Sequence, residues 1–185
     1  MKISKTMLNG TLFSVMFSVI LSSSAIASTD DNRGTLTFTG EIVASPCSIY
    51  GDDVKQTINM GHVSSASLRN NSAPVKTISI RLVGCDLQKY KPDGSKDKGK
   101  MWSFVKAKFS GTTINNHQLL KINNNVGIEL RQGGKAITFG TDSDKMELTG
   151  DQTLPFQAQV KAINPLGDLV PTAFNSVANF ELSYE

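Results

Sequence analysis

The sequence predicts an all-β protein, an antiparallel sandwich or barrel, and three observations support this fold class. Short segments in which apolar and polar residues alternate recur along the chain, and this period of two is typical of strands that bury one face. Turn sequences rich in glycine, proline, asparagine and aspartate separate these segments. No long segment shows the helical period of 3.6 residues. Many short strands at roughly even spacing favour a sandwich or a barrel.

The first 27 residues have the pattern of a secretory signal peptide. Lys2 and Lys5 precede an apolar segment over residues 12–21, which is too short to span a bilayer. Ala25-Ile26-Ala27 supplies the small residues of a cleavage site. We therefore expect residues 1–27 to be removed. The rest is predicted to comprise an N-terminal extension over residues 28–45 and one domain over residues 46–185, long enough for a hydrophobic core.

Residues 34–43 show the clearest alternation and predict a half-buried strand. Leu36, Phe38, Gly40 and Ile42 share one parity, whereas threonines and Glu41 occupy the other. The segment begins a few residues after the predicted cleavage site. A strand so close to a chain terminus is free to pair with something other than its own domain.

Other parts of the domain carry the same signals of a β-protein. Alternation predicts five further strands, which are centred on residues 77–82, 105–109, 126–131, 154–161 and 179–185. Gln132-Gly133-Gly134-Lys135 lies between two apolar segments and predicts a hairpin. Turns are predicted at residues 92–95 and 164–167, and only residues 63–70 have room for a short helix.

Cys47 and Cys85 are the only cysteines in the chain. An exported protein meets an oxidising compartment, so we predict that this pair forms a disulfide. The alternatives are a metal site or a catalytic thiol, but neither cysteine has a histidine near it in sequence. The charge balance is close to even, because the chain has 19 Lys and Arg against 16 Asp and Glu, and two of the lysines lie in the predicted signal peptide. This balance gives no reason to expect a nucleic-acid partner.

The residue patterns provide no basis for an enzyme, a metal or a cofactor. His62 and His117 have no second ligand at suitable spacing, and Asp142 and Asp144 lack the full pattern of a calcium loop. Motifs for a serine nucleophile or for phosphate binding do not occur. We therefore predict a protein without catalytic residues and without a cofactor.

Two other features have a simple interpretation and a functional alternative. Residues 89–100 contain several lysines and no buried pattern, which predicts a solvated loop; a basic patch for an acidic partner is the alternative. Trp102 beside Phe104 could stack on a sugar, although packing at the core or its rim is the simpler interpretation.

Six motifs occur in an order and at a spacing that are specific in combination. They are Phe38 to Val43 followed by Cys47, Met60 to Val63 followed by Ser67-Leu68, Leu82 to Asp86, Asn125 to Leu130, Leu154 to Ala158, and Ala178 to Glu185 with its penultimate Tyr184. Together they resemble the fimbrial (pilin) subunits of the chaperone–usher family, in particular the type 1 and P pilus subunits. The resemblance extends over essentially all of the predicted mature chain.

The resemblance implies an immunoglobulin-like sandwich that lacks its last strand and has an apolar groove beside its C-terminal strand. In the family a periplasmic chaperone fills this groove first, and the N-terminal extension of the next subunit then replaces it by donor-strand exchange. The donor residues implied are Leu36, Phe38, Gly40 and Ile42, and the implied residues of the groove and chaperone contact are Phe180, Leu182 and Tyr184.

The expected function is that of a structural subunit of a surface fimbria that supports cell adhesion. Its implied partners are neighbouring pilin subunits, the periplasmic chaperone and the outer-membrane usher, and the polymer is head-to-tail. A minor or adapter pilin with its own receptor or glycan contact is the alternative, because residues 28–34 are polar and residues 89–100 form an unusually long segment. A secreted β-sandwich hydrolase or lectin is a third class.

Overall fold

A computed structural model describes residues 34–185, and nearly all of the regular structure in this part of the chain is β. The chain divides into two units, one that ends at Glu41 and one from Ile42 to Glu185. The signal peptide predicted over residues 1–27 and the start of the predicted extension lie outside the described residues. From Gly34 onwards, no helix has the length and hydrophobicity to cross a membrane.

The second unit contains many strands, most of them short. The strands are β1 (Ser48–Ile49), β2 (Val75–Val83), β3 (Gln88–Tyr90), β4 (Lys96–Met101), β5 (Phe104–Gly111), β6 (Thr113–Ile114), β7 (Leu119–Lys121), β8 (Val126–Gln132), β9 (Lys135–Ala136), β10 (Met146–Glu147), β11 (Gln152–Ala162) and β12 (Ala178–Tyr184). Two short helical segments accompany them, a 3-10 turn at Gly51–Asp53 and α1 at Ser65–Arg69.

Two sheets form the sandwich. The larger sheet has the order β1-β2-β11-β8-β7-β6, with β9 beside β8, and the smaller has the order β10-β5-β12. The hairpin β3–β4 stands apart from both. Every pair of these strands is antiparallel. This architecture confirms the predicted all-β fold and selects the sandwich over the barrel.

The core lies between the two sheets and follows the predicted alternation. Phe156 of β11 is fully buried, and its ring contacts Phe109 of β5 edge-on at 5.0 Å between centroids. Val105 and Ala107 of β5 are also fully buried, whereas Lys106 between them is partly exposed. In β5 and β11, one face therefore carries the hydrophobic contacts that hold the sheets together.

The longer predicted elements are confirmed. The five segments with alternation correspond to β2, β5, β8, β11 and β12. The hairpin between β8 and β9 turns through Gly133 and Gly134, which both have positive φ, as a two-residue turn of type I′ requires. The short helix is α1, and its N-cap Ser64 accepts a hydrogen bond from the backbone N–H of Ser67.

Two local predictions are wrong. Residues 34–43 contain no strand, and their apolar side chains are exposed instead of half-buried. Alternation shows which side chains share a face, but a strand exists only where its backbone has a partner. Residues 89–100, predicted as a loop, belong to the exposed hairpin β3–β4. This hairpin has no apolar face for alternation to mark, so its backbone pairing leaves no signal in the sequence.

The two ends of the sandwich differ. Cys47 and Cys85 form the predicted disulfide, and the backbone N–H of Asp86 donates to the carbonyl of Pro46 at 2.8 Å. We call this the disulfide end, where β5 begins and β12 ends at Tyr184. At the opposite, distal end, β2 begins at Val75 and β11 ends at Ala162.

Candidate functional site

An apolar groove opens along one edge of the sandwich, with a cavity volume of about 580 Å³. On one side it is bounded by residues 54–60, which precede α1, and on the other by residues 174–177 and the start of β12. Its floor is formed by core side chains from both sheets, namely Ile78, Ile80, Phe109, Ile128, Leu130 and Ala158. The groove therefore leads to the hydrophobic core at the place where the sandwich is not closed.

Both walls of the groove have free backbone groups. Within residues 34–185, no backbone–backbone hydrogen bond involves residues 55–60 or residues 170–177. β12 pairs with β5 along one edge only, and it is the last strand of its sheet in the described part of the chain. An edge strand presents a row of unpaired N–H and C=O groups, which can pair with a further strand.

Side-chain contacts, and not backbone pairing, hold the first wall of the groove, residues 54–60, in place. At the start of the wall, the buried carboxylate of Asp53 accepts hydrogen bonds from the Nε, the Nη2 and the backbone N–H of Arg81, each at 2.8 Å. The guanidinium of Arg81 also lies 3.8 Å from the ring centroid of Tyr50. Further along, Gln56 Nε2 donates to the carbonyl of Ser79 at 2.7 Å. These contacts fix the wall beside β2, while the backbone N–H and C=O groups of residues 55–60 stay available.

The second wall is held in the same way. The hydroxyl of Ser176 donates to the carbonyl of Lys121 at 2.7 Å, which ties the segment before β12 to the larger sheet. No local sequence pattern indicates these side-chain anchors, because Asp53 and Arg81 are 28 residues apart and Ser176 and Lys121 are 55 apart.

The ion pair between Asp53 and Arg81 makes the stability of the domain depend on pH. Hydrogen bonding from Arg81 holds the pKa of Asp53 below its usual value, so this contribution is present near neutral pH and is lost as the pH falls through the lowered pKa. We expect Asp53→Asn to lower the urea midpoint at pH 7, and the gap to the unsubstituted chain to narrow below about pH 4. The exposed neighbour Asp52→Asn is the control and should change the midpoint little. An equal gap for Asp53→Asn at pH 7 and pH 3 would contradict this origin.

The three predicted groove residues of β12 occupy different positions. Phe180 lines the groove, with its ring 6.4 Å from that of Phe109. Leu182 and Tyr184 lie further towards the disulfide end, half-buried against the core and outside the lining of the cavity. Tyr184 meets Trp102 edge-on at 6.4 Å between centroids, and burial raises the pKa of its phenol.

The four predicted donor residues lie in the exposed segment before Cys47. The side chains of Leu36 and Phe38 are 82% and 89% exposed, and Ile42 is fully exposed. A Cβ built on Gly40 would have no atom within 4 Å. Three large apolar side chains on one parity are therefore presented to solvent, which in a soluble protein marks an interaction site.

The candidate sugar-stacking and calcium residues of the sequence analysis make contacts within the fold. Trp102 packs against the core, and Lys89 Nζ lies 4.2 Å from the centroid of its ring. Asp144 pairs with Lys135 at 2.8 Å. Within residues 34–185, no three His, Cys, Asp or Glu side chains form a group that could hold a metal ion.

The geometry of the groove suits an extended peptide. An added strand between β12 and residues 54–60 would satisfy backbone groups on both sides, and alternate side chains would pack on the apolar floor. The site binds by shape, hydrophobic contact and backbone pairing. This is recognition chemistry, which needs neither a nucleophile nor an ion.

Comparison with known proteins gives the family. Residues 36–185 match the family described as fimbrial protein. The Pap fimbrial major pilin protein of Escherichia coli is 34% identical over 161 residues, which cover 83% of this chain and 84% of that protein. Fimbria A protein of Serratia marcescens is 31% identical over 180 residues, which cover 92% of this chain and 97% of that protein.

Solved structures agree with the sequence relatives. The crystal structure of the P pilus rod subunit PapA superposes with a TM-score of 0.61 at 26% identity, covering 76% of this chain and all of that one. A chain from a chaperone–usher pilus superposes with a TM-score of 0.71 at 30% identity, covering 84% of this chain and 97% of that one. The fold is thus the immunoglobulin-like fold of pilus subunits. The chain belongs to the fimbrial protein family, as the resemblance of its motifs predicted.

Proposed function

We propose that this protein is a structural subunit of a chaperone–usher surface fimbria and that it polymerises by donating residues 36–42 to the groove of a neighbouring subunit. One observation carries the proposal: a single chain of this family combines an open apolar groove with an exposed segment of alternating apolar residues. Each subunit then has one donor strand and one groove that can accept the donor strand of another subunit. Because the two surfaces differ, the contact is head-to-tail and builds a filament.

The lengths of the two elements support this pairing. Residues 36–42 and β12, Ala178–Tyr184, each comprise seven residues and each extend about 20 Å as strands. Leu36, Phe38, Gly40 and Ile42 would face the floor of the groove, and Phe180 would lie beside them. Leu182 and Tyr184 would continue the same strand towards the disulfide end.

Antiparallel insertion requires a second chain. All strand pairs in the described part of the chain are antiparallel, and antiparallel pairing is the more stable arrangement. In this orientation the donor would place Ile42 near the distal end of β12. Cys47 lies at the disulfide end of its own subunit, and five residue steps from Ile42 reach at most about 18 Å, less than the length of β12.

The route to the surface follows from the exposed groove. A subunit with free strand edges and an open core is prone to aggregate, so the groove needs a temporary occupant before assembly. We assign this role to a periplasmic chaperone that adds a strand beside β12, followed by transfer at an outer-membrane usher. The predicted signal peptide supports export to the periplasm. Several relatives are major pilin or major fimbria proteins, which favours a structural subunit over a minor or adapter pilin and a protein without enzymatic activity.

A self-complemented chain tests the proposal. We expect that fusing a second copy of residues 30–45 to the C-terminus through a short flexible linker will give a soluble monomer with a higher urea midpoint than the unfused mature chain. The added strand would cover the groove floor and pair with the free edge of β12. Size-exclusion chromatography and urea unfolding provide the measurement.

The matched control is a fusion in which Leu36, Phe38 and Ile42 of the second copy are replaced by serine. This control keeps the length and linker and should behave like the unfused chain. An unfused mature chain that is already a stable monomer, with no gain from the fusion, would contradict the proposal. Immunogold electron microscopy of fibres from cells with and without the gene tests the place of the protein in the fimbria.

A further inference from the structure

The connection between β11 and β12 displays apolar side chains at the distal end. Leu166, Val170 and Val177 are 90%, 60% and 69% exposed, and we call these three residues the distal strip. None of them is among the donor residues assigned above. Val177 also belongs to the groove wall at residues 174–177, whereas Leu166 and Val170 lie outside the lining of the groove. Large side chains with this exposure on one connection indicate a surface that becomes covered.

The turn that carries Leu166 is held in a defined conformation. The side chain of Asn125 accepts a hydrogen bond from the backbone N–H of Asn164 at 2.8 Å and donates to the carbonyls of Asn164 and Asp168. Arg69 Nη1 donates to the carbonyl of Pro165 at 2.6 Å. These hydrogen bonds fix the conformation of the turn, so Leu166 is held in an exposed position.

The length of the chain between donor and domain determines what lies next to this strip. Only residues 43–46 separate Ile42 from Cys47, and they span at most about 18 Å. With antiparallel insertion, Ile42 lies at the distal end of the accepting subunit, while Cys47 lies at the disulfide end of the donating one. The disulfide end of the donating subunit is therefore held close to the distal end of its neighbour.

The disulfide end has exposed apolar side chains of its own. Tyr90 and Met101 of the hairpin β3–β4 are 50% and 56% exposed. Both are near the point where the donor segment joins the domain: the Tyr90 hydroxyl donates to Asp86, whose N–H donates to the carbonyl of Pro46, and Met101 pairs with Gln88. They can provide an apolar counterpart for the distal strip.

We propose that Tyr90 and Met101 of the hairpin β3–β4 pack on the distal strip of the neighbouring copy that accepts the donor strand, forming a second contact between successive subunits. This inference rests on the proposed function, because it requires donor-strand insertion. It adds a contact between the bodies of the two subunits, which limits how freely they swing about residues 43–46. The partner is a second copy of this chain.

Cysteine cross-linking in assembled fibres tests this contact. Fibres are prepared from the full-length gene carrying Leu166→Cys and Met101→Cys together, treated with a short bismaleimide reagent, and then denatured by boiling in detergent. We expect a ladder of covalent multimers. The two positions lie at opposite ends of one sandwich, so a link between them must join two chains. Leu166→Cys alone should give no ladder.

The matched control replaces Leu166→Cys by Gln157→Cys, an exposed position in the middle of β11, and should give several-fold fewer multimers. Fibres that form normally but yield no more multimers than this control would overturn the second contact and leave the proposed function standing. A covalent dimer from Met101→Cys alone would place two disulfide ends together and would also overturn it. Absence of fibres from the unsubstituted chain would instead contradict the proposed function.

Discussion

Gly40→Leu is expected to prevent the protein from entering fibres while leaving its own domain folded. Gly40 has the parity of Leu36, Phe38 and Ile42, so in the proposed complex it faces the floor of the groove. A leucine at position 40 would have to fit against the closely packed side chains of the groove floor. Overpacking of this kind costs about 1–3 kcal/mol, which weakens strand binding by roughly 5- to 150-fold.

The same substitution should not affect the chain that carries it. A Cβ at Gly40 would have no atom within 4 Å, and the residue does not have the positive φ that favours glycine. The variant should therefore still accept a donor strand from another subunit. This asymmetry separates loss of donation from loss of folding.

Fibre incorporation and binding provide the measurement. Immunogold counts along fibres from cells that express Gly40→Leu should fall sharply relative to the unsubstituted protein. In the self-complemented chain, the change in the second copy alone should lower the urea midpoint. Thr39→Leu is the matched control, because its side chain points away from the groove. Normal incorporation of Gly40→Leu would contradict the assignment of this residue to the donor strand.

Removal of the disulfide is expected to cause the largest loss of stability among these substitutions. The bond between Cys47 and Cys85 spans a sequence separation of 38 residues, and closing a loop of this size contributes about 4 kcal/mol by chain-entropy reasoning. The loop contains the wall at residues 54–60, of which residues 55–60 make no backbone–backbone hydrogen bond in the described chain. We expect Cys47→Ala with Cys85→Ala to destabilise this wall together with the whole domain.

Urea unfolding of the self-complemented chain checks this expectation. The double variant should show a free energy of unfolding lower by about 4 kcal/mol, and a slope no smaller than that of the unsubstituted chain, because the unfolded chain without the cross-link is less compact. The unsubstituted chain treated with a reductant is the control and should match the variant. A midpoint that does not move would contradict a stabilising role of the disulfide.

Much of the fold could be predicted from local patterns. Ile78, Ile80 and Leu82 in β2, and Leu154, Phe156 and Ala158 in β11, alternate with polar residues over lengths that make the period clear. Strands β1, β9 and β10 comprise two residues each, and a period of two cannot be recognised in a single repeat. Their existence depends on which longer strand lies beside them.

The candidate site could be predicted only in part. The alternation in residues 36–42 identified a segment suited to pairing, and Phe180 has the parity of a residue that faces the interior. The sequence did not indicate Asp53, Arg81, Gln56 or Ser176, which hold the walls of the groove. Hydrogen bonds between residues 28 or 55 positions apart depend on how distant elements meet, and no local period encodes them.

The sequence by itself determined which side chains share a face, where the chain turns, and that Cys47 and Cys85 are available to each other in an exported protein. These are local or compositional properties, and they follow from strand geometry and from redox chemistry. The tertiary structure decided that β12 has a free edge, that residues 54–60 have unpaired backbone groups, and that residues 34–43 form no strand within the described chain. A missing partner is a property of the assembled sheet, so it became visible only once every strand had been placed.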